Sequence, residues 1–256
     1  MDPKADRIAK HLTAIISSWP GVECILACEA SRIDVMDPYF ALVLDVYYSG
    51  TIPGIAERQA ILDDPGAFET SRGGEKDRFF LDGLPIRVEY KKTKSFDQLI
   101  SKPYDMLWLL SSSGSYIIYR FLNGEKLFAR SDWLDSVKLA INDIKPEFWE
   151  QLAENYNFKI EHALSDLGGA ALKEDSYFYL VSLTGFLKAC VSALFAYNKE
   201  WEPSERLLTE ELMKLPALPK GFSGLWELLL KTDGSVEPSK KYRIAQQIAA
   251  SIIKLE

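Results

Sequence analysis

The stretch ILACEASRIDVMDPYFALVLDVYYSG, residues 25–50, reads as two apolar runs separated by a short polar interruption, with one carboxylate, Asp45, inside the second run. The runs predict strands over 22–28 and 39–48. Strand alternation puts Tyr39, Ala41, Val43, Asp45 and Tyr47 on one face of the second strand, and Phe40, Leu42, Leu44, Val46 and Tyr48 on the other. Both faces read as buried. An unpaired ionised carboxylate in such a place costs several kcal/mol, so Asp45 needs a partner, a metal or a proton.

Upstream of this stretch, Ile8, Leu12, Ile15 and Ile16 recur at the spacing of one helix face, and Trp19-Pro20-Gly21 stops that helix. Downstream, IPGIAERQAILDDPG predicts a short helix ending at Pro65. The segment around 66–76 reads as a Gly-rich loop. RFFLDGLPIRVEYKK has the signature of a hairpin, two β-rich runs joined by Asp82-Gly83, a pair suited to positive φ. Ser95 and Gln98 have the spacing of a capping box and predict a helix start. YIIYRFLNGEKLFAR admits either a second hairpin through Asn123-Gly124 or a helix over 115–122.

Strand signals give out after about residue 131. SDWLDSVKLAINDI, PEFWEQLAENYNFKIEHALSDL, SYFYLVSLTGFLKACVSALFAYNK and the segments that follow all carry helical periodicity, with the change complete by Lys145-Pro146. The expected class is α+β: an α/β domain over 1–130 with a mixed sheet and flanking helices, then an all-helical domain over 131–256.

With 47% hydrophobic and 26% charged residues the composition is globular. A net charge of −7 argues against nucleic acid as a partner, since phosphate neutralisation needs a basic stripe. Cys24, Cys28 and Cys190 follow a charged N-terminus without an apolar leader, which implies free thiols and a cytoplasmic location. Residues 178–198 have the length of a bilayer span. They carry Ser182, Thr184, Gly185, Lys188 and Ser192, so a bundle helix is expected and no membrane partner.

The chain has neither of the usual Gly-rich phosphate cradles, and its two histidines fall within helical segments. Carboxylate chemistry remains. On the strand LPIRVEYKK, Glu89 shares a face with Arg87 and Lys91. If that strand neighbours 39–48, Asp45 and Glu89 converge and can share Mg²⁺, the usual way to steady a triphosphate. The alternative is that Glu89 pairs with Arg87 or Lys91, and Asp45 with a nearby basic side chain.

A helix, a strand, the turn Ala30-Ser31-Arg32, a second strand with an acid and a later strand with another resemble the nucleotidyltransferase fold of the DNA polymerase β superfamily. SYIIYRFLNGEKLFARSDWLDSV resembles a later strand-pair segment of that family. ALFAYNKEWEPSERLLTEELMKLPALP resembles the helical domain of its small-molecule and antibiotic-modifying members. The resemblance implies Mg²⁺ and an NTP substrate, with transfer of an NMP to a small-molecule hydroxyl. It places Asp45 and Glu89, with Asp37, at the metal, and Ser31 and Arg32 at the phosphates. The sequence also departs from the pattern: Ala30 stands where the family has glycine, and Ala41 and Val43 stand where its paired aspartates fall. A fold retained without transferase activity, serving as a binding or protein-interaction module, is therefore the competing expectation.

Overall fold

The structure, a computed structural model, describes residues 3–28, 42–62 and 65–255. Ser31, Arg32 and Asp37 lie outside the described residues, as do Ala30 and Ala41. Two compact units form: residues 1–103 with 120–144, and residues 104–119 with 145–256. The helix Trp133–Asn142 thus belongs with the sheet, and residues 104–119 belong with the helices.

The first unit is built on a six-stranded mixed sheet. In chain order its strands are β1 (Val22–Ala27), β2 (Leu42–Tyr48), β3 (Gly66–Thr70), β4 (Lys76–Leu81), β5 (Leu84–Lys92) and β6 (Glu125–Ala129), and in space they run β3-β4-β5-β2-β1-β6. Only β2 and β5 pair in parallel; the other neighbours are antiparallel. Strand β3 occupies part of the segment that reads in sequence as a Gly-rich loop. The β4–β5 hairpin turns at Asp82 and Gly83 with φ of 51° and 72°, the left-handed pair that matches strand twist.

Helix α1 (Pro3–Ser17) lays Ile8, Leu12 and Ile16 on one sheet face, against Leu42, Leu44, Val46, Ile86 and Val88. The short helix α2 (Ile55–Ile61) supplies Arg58, whose guanidinium is buried against Asp77 of β4 at 2.8 Å. On the opposite sheet face lie α3 (Thr93–Ser101) and α6 (Trp133–Asn142). There Tyr47 packs edge-on against Phe96 and Phe121 and tilts against Trp133. Helix α3 starts two residues before Ser95, because β5 runs directly into it and Lys92 sits at its N-terminus without a side-chain cap. The capping-box reading is therefore corrected.

The second unit opens with α4 (Leu107–Ser113). Helix α5 (Tyr116–Asn123) contains the division between the units. Residues 115–122 therefore take the helical alternative. No hairpin forms through Asn123-Gly124, since β6 pairs with β1 instead. Next come α7 (Pro146–Lys173) and α8 (Ser176–Tyr197), joined by two residues, which makes them antiparallel neighbours. Glu174 adopts a left-handed conformation, and Asp175 caps α8 by accepting the Phe178 N–H at 3.0 Å. Helices α9 (Leu208–Leu212), α10 (Phe222–Leu230) and α11 (Pro238–Ile252) complete the unit, with α11 packed on α7. Among the described helices, α8 alone is long and apolar enough to cross a membrane, and half of its apolar window is buried inside the protein.

Candidate functional site

Asp45 is fully buried on β2, and the parallel register places it directly opposite Glu89 on β5. The row continues across the sheet, with Lys76 of β4 opposite Glu89 and Leu26 of β1 opposite Asp45. One step along the strands, Lys91 faces Tyr47; one step back, Arg87 faces Val43. Strand alternation therefore delivers both acids and three cations to one sheet face.

A fourth cation comes from α5. Arg120 donates from Nη2 to Asp45 Oδ1 in a short contact, and its Nη1 lies 3.4 Å from Glu89 Oε1. The helix end carrying Arg120 lies hard against β1. A Cβ on Gly124 would stand 3.0 Å from both the Arg120 carbonyl oxygen and Leu26 Cβ, so only glycine fits without displacement. Lys91 Nζ donates to Asp45 Oδ2 at 2.6 Å and lies 3.6 Å from Glu89 Oε2. Glu89 Oε1 also takes Arg87 Nε at 3.1 Å and Lys76 Nζ at 3.4 Å.

Two carboxylates thus face four cations, two of which, Lys91 and Arg120, bridge the acids. Burial pushes the Glu89 carboxyl up, but Arg120, Lys91, Arg87 and Lys76 together outweigh it and hold it down at about 2. Burial and the Asp45 charge push the nearby thiols of Cys24 and Cys28 up to about 12, so neither is a nucleophile. The Lys91 ammonium also lies 5.7 Å from the Tyr47 ring centroid, which ties the network to the aromatic cluster.

Of the residues the sequence nominates, the structure brings Asp45 and Glu89 together. As placed, they do not fit a divalent metal. Both oxygens of each carboxylate already face cationic nitrogens, and a divalent ion would add its charge to a surplus of two positive charges. Among the described residues no group of three His, Cys, Asp or Glu side chains forms that could hold a metal. The sequence reading missed Arg120. Its signal was a lone arginine inside the apolar run YIIYRFL, the counterpart of a lone aspartate inside LVLDVYY.

No family model matches the chain, and no curated protein matches it in sequence. Among solved structures it is similar to a nucleotidyltransferase-like protein from Exiguobacterium sibiricum 255-15. The match has a TM-score of 0.52 and 10% identity, and covers 97% of this chain and 74% of that one. The mixed sheet, its flanking helices and the helical C-terminal region make this a nucleotidyltransferase-like α+β fold.

Proposed function

We propose that the chain is a nucleotidyltransferase-fold module without transferase activity, one that binds an anionic ligand through its own cations rather than through Mg²⁺. The observation that carries this reading is the engagement of both Asp45 and Glu89 by Lys91 and Arg120. A transferase of this fold keeps its acids for metal, and here they are spent on side chains. The surplus positive charge around Glu89 favours a phosphate-bearing small molecule or nucleotide. Lys76 and Arg87 keep partial exposure and are the groups placed to meet it.

Thermal melts with NTP alone, with NTP and Mg²⁺, and with NTP and a chelator test the reading, since a ligand bound only by the native state raises its melting temperature. The expected shift survives the chelator, and no pyrophosphate is released. A shift that needs Mg²⁺ and disappears in Asp45→Asn overturns it.

The second reading is NMP transfer from an NTP to a small-molecule hydroxyl, as in the antibiotic-modifying type. It is favoured by one observation, the direct register of Asp45 with Glu89. Under it Ser31 and Arg32 would contact phosphates, and Asp37 would join the acids. Pyrophosphate release with any hydroxyl acceptor distinguishes it.

A further inference from the structure

Helix α8 is apolar nearly all round, a composition that belongs to a fully buried helix. Its first three turns are nevertheless open on one side. Tyr177 is 80% exposed, Leu180 63% and Val181 51%. With Thr184, Gly185 and Lys188, also exposed, they recur every three or four residues as one continuous stripe. The opposite side, through Ser182, Phe186 and Ala189, is buried within the unit. The polar group of Thr184 is already used, since its Oγ1 donates to the Leu180 carbonyl oxygen at 2.9 Å. An apolar stripe of this kind marks a surface that meets something else.

Gly185 says how closely. A glycine inside a helix destabilises it relative to alanine, so a reason for its presence is needed. Among the described residues, a Cβ added at Gly185 would meet only Ala163 Cβ, at 3.9 Å, an ordinary contact. Nothing within the chain calls for glycine there. The missing side chain leaves a hollow in the exposed stripe, open to a group from outside.

The stripe is complementary to itself. Tyr177, its largest side chain, and Gly185, its hollow, lie four residues either side of Val181. Lys188 and Glu174, a cation and an exposed acid, lie seven residues either side of it. A two-fold axis through Val181 therefore lays bulk on hollow and cation on acid, twice over.

We propose that α8 pairs antiparallel with α8 of a second copy of this chain, about an axis at Val181. Tyr177 of each copy fills the Gly185 hollow of the other, and Lys188 of each meets Glu174 of the other. Lys188 also contacts Glu205 at 2.8 Å, but both side chains are mostly exposed, and an ammonium has donors for a second acid. Parallel pairing would set Lys188 on Lys188 and leave the hollow empty, so charge selects the antiparallel arrangement.

Sedimentation velocity of the full chain over a micromolar concentration series tests this. Wild type should pass from monomer to dimer. Gly185→Leu fills the hollow and should abolish the dimer, while the dilute monomer melts no lower than wild type. Lys188→Glu, at an exposed position, sets acid against acid and should weaken association by about tenfold or more. Adding Glu174→Lys restores the opposite charges and should restore the dimer. The native thiols are buried, so Val181→Cys supplies one accessible thiol at the axis and should cross-link the dimer under mild oxidation. Leu172→Cys, far more exposed but off the axis, should not. A dimer indifferent to Gly185→Leu and Lys188→Glu overturns the proposal, as does failure of the charge swap to rescue, or a Val181→Cys dimer that does not cross-link. A chain monomeric throughout also overturns it: binding to phosphatidylcholine vesicles would then give the stripe to a membrane, and no binding would give it to a different protein.

Discussion

Arg120 of α5 and Asp45 of β2, seventy-five residues apart in sequence, meet in a short buried ion pair, with the guanidinium and the carboxylate both shut off from solvent. Lys91 holds the other Asp45 oxygen. The lone aspartate of β2 is therefore a structural keystone, and its partners set what each substitution should do.

Asp45→Asn keeps the shape and removes the charge, leaving Arg120 buried without a counter-ion. Denaturant melts without metal should show a loss of roughly 3–5 kcal/mol, the usual cost of breaking a buried pair. Paired apolar replacement, Asp45→Leu with Arg120→Met, should lose less than the two single changes combined, since neither charge is then stranded. An unchanged midpoint for Asp45→Asn would return the residue to the metal-site reading.

Glu89 makes stability depend on acid. Its carboxyl is held at about 2 in the folded state, below the ordinary glutamate value, so the folded form binds fewer protons. The associated stability is present above the ordinary value and is lost as pH falls through about 2. Glu89→Gln should flatten the acid limb of a stability–pH curve measured by chemical denaturation. A limb identical to wild type would show that other carboxylates carry it.

Gly124→Ala tests the close approach that positions Arg120. The added methyl would meet the Arg120 carbonyl and Leu26 Cβ at 3.0 Å, and neither is a flexible tip. Overpacking of this kind costs about 1–3 kcal/mol. In a background already carrying Asp45→Asn the same change should cost less, because the Arg120 pair it disturbs has gone. Additive losses would separate the glycine from the network.

The thiols offer a reporter. Cys24, Cys28 and Cys190 are buried and free, and burial raises all three. A thiol reagent at mildly alkaline pH should label none of them in the native protein, and all three at the rate of unfolding. Fast labelling of Cys28 in Arg120→Met alone would show the β1 end opening when its neighbour is lost.

Local pattern made much of this fold legible. Alternation in LVLDVYY, the Asp82-Gly83 turn and the 3.6-residue periodicity beyond residue 131 all concern neighbours in sequence. Pairing across distance was harder to read. Residues 115–122 are rich in β-formers, and Asn123-Gly124 is a good hairpin turn, yet the segment is helical because β6 completes its hydrogen bonds on β1. The site divides the same way. Arg87 and Lys91 lie two residues either side of Glu89 on a strand, so their partnership is visible in the string, whereas Arg120 reaches Asp45 from another element and nothing local announces it. Arg58 and Asp77 form a second buried pair that sequence reading did not single out.

The strand order has a consequence for synthesis. Strand β1 is made early, but its outer neighbour, β6, pairs Cys24 with Ala129, roughly a hundred residues further on. Throughout translation of that interval one edge of β1, with its row of unpaired amides and carbonyls, waits beside an emerging chain. Nascent edges of this kind invite pairing between molecules. Dilution from denaturant delivers β6 together with β1, so it should shorten that exposure, and the soluble fraction of newly translated protein should be lower than that of refolded protein at matched concentration.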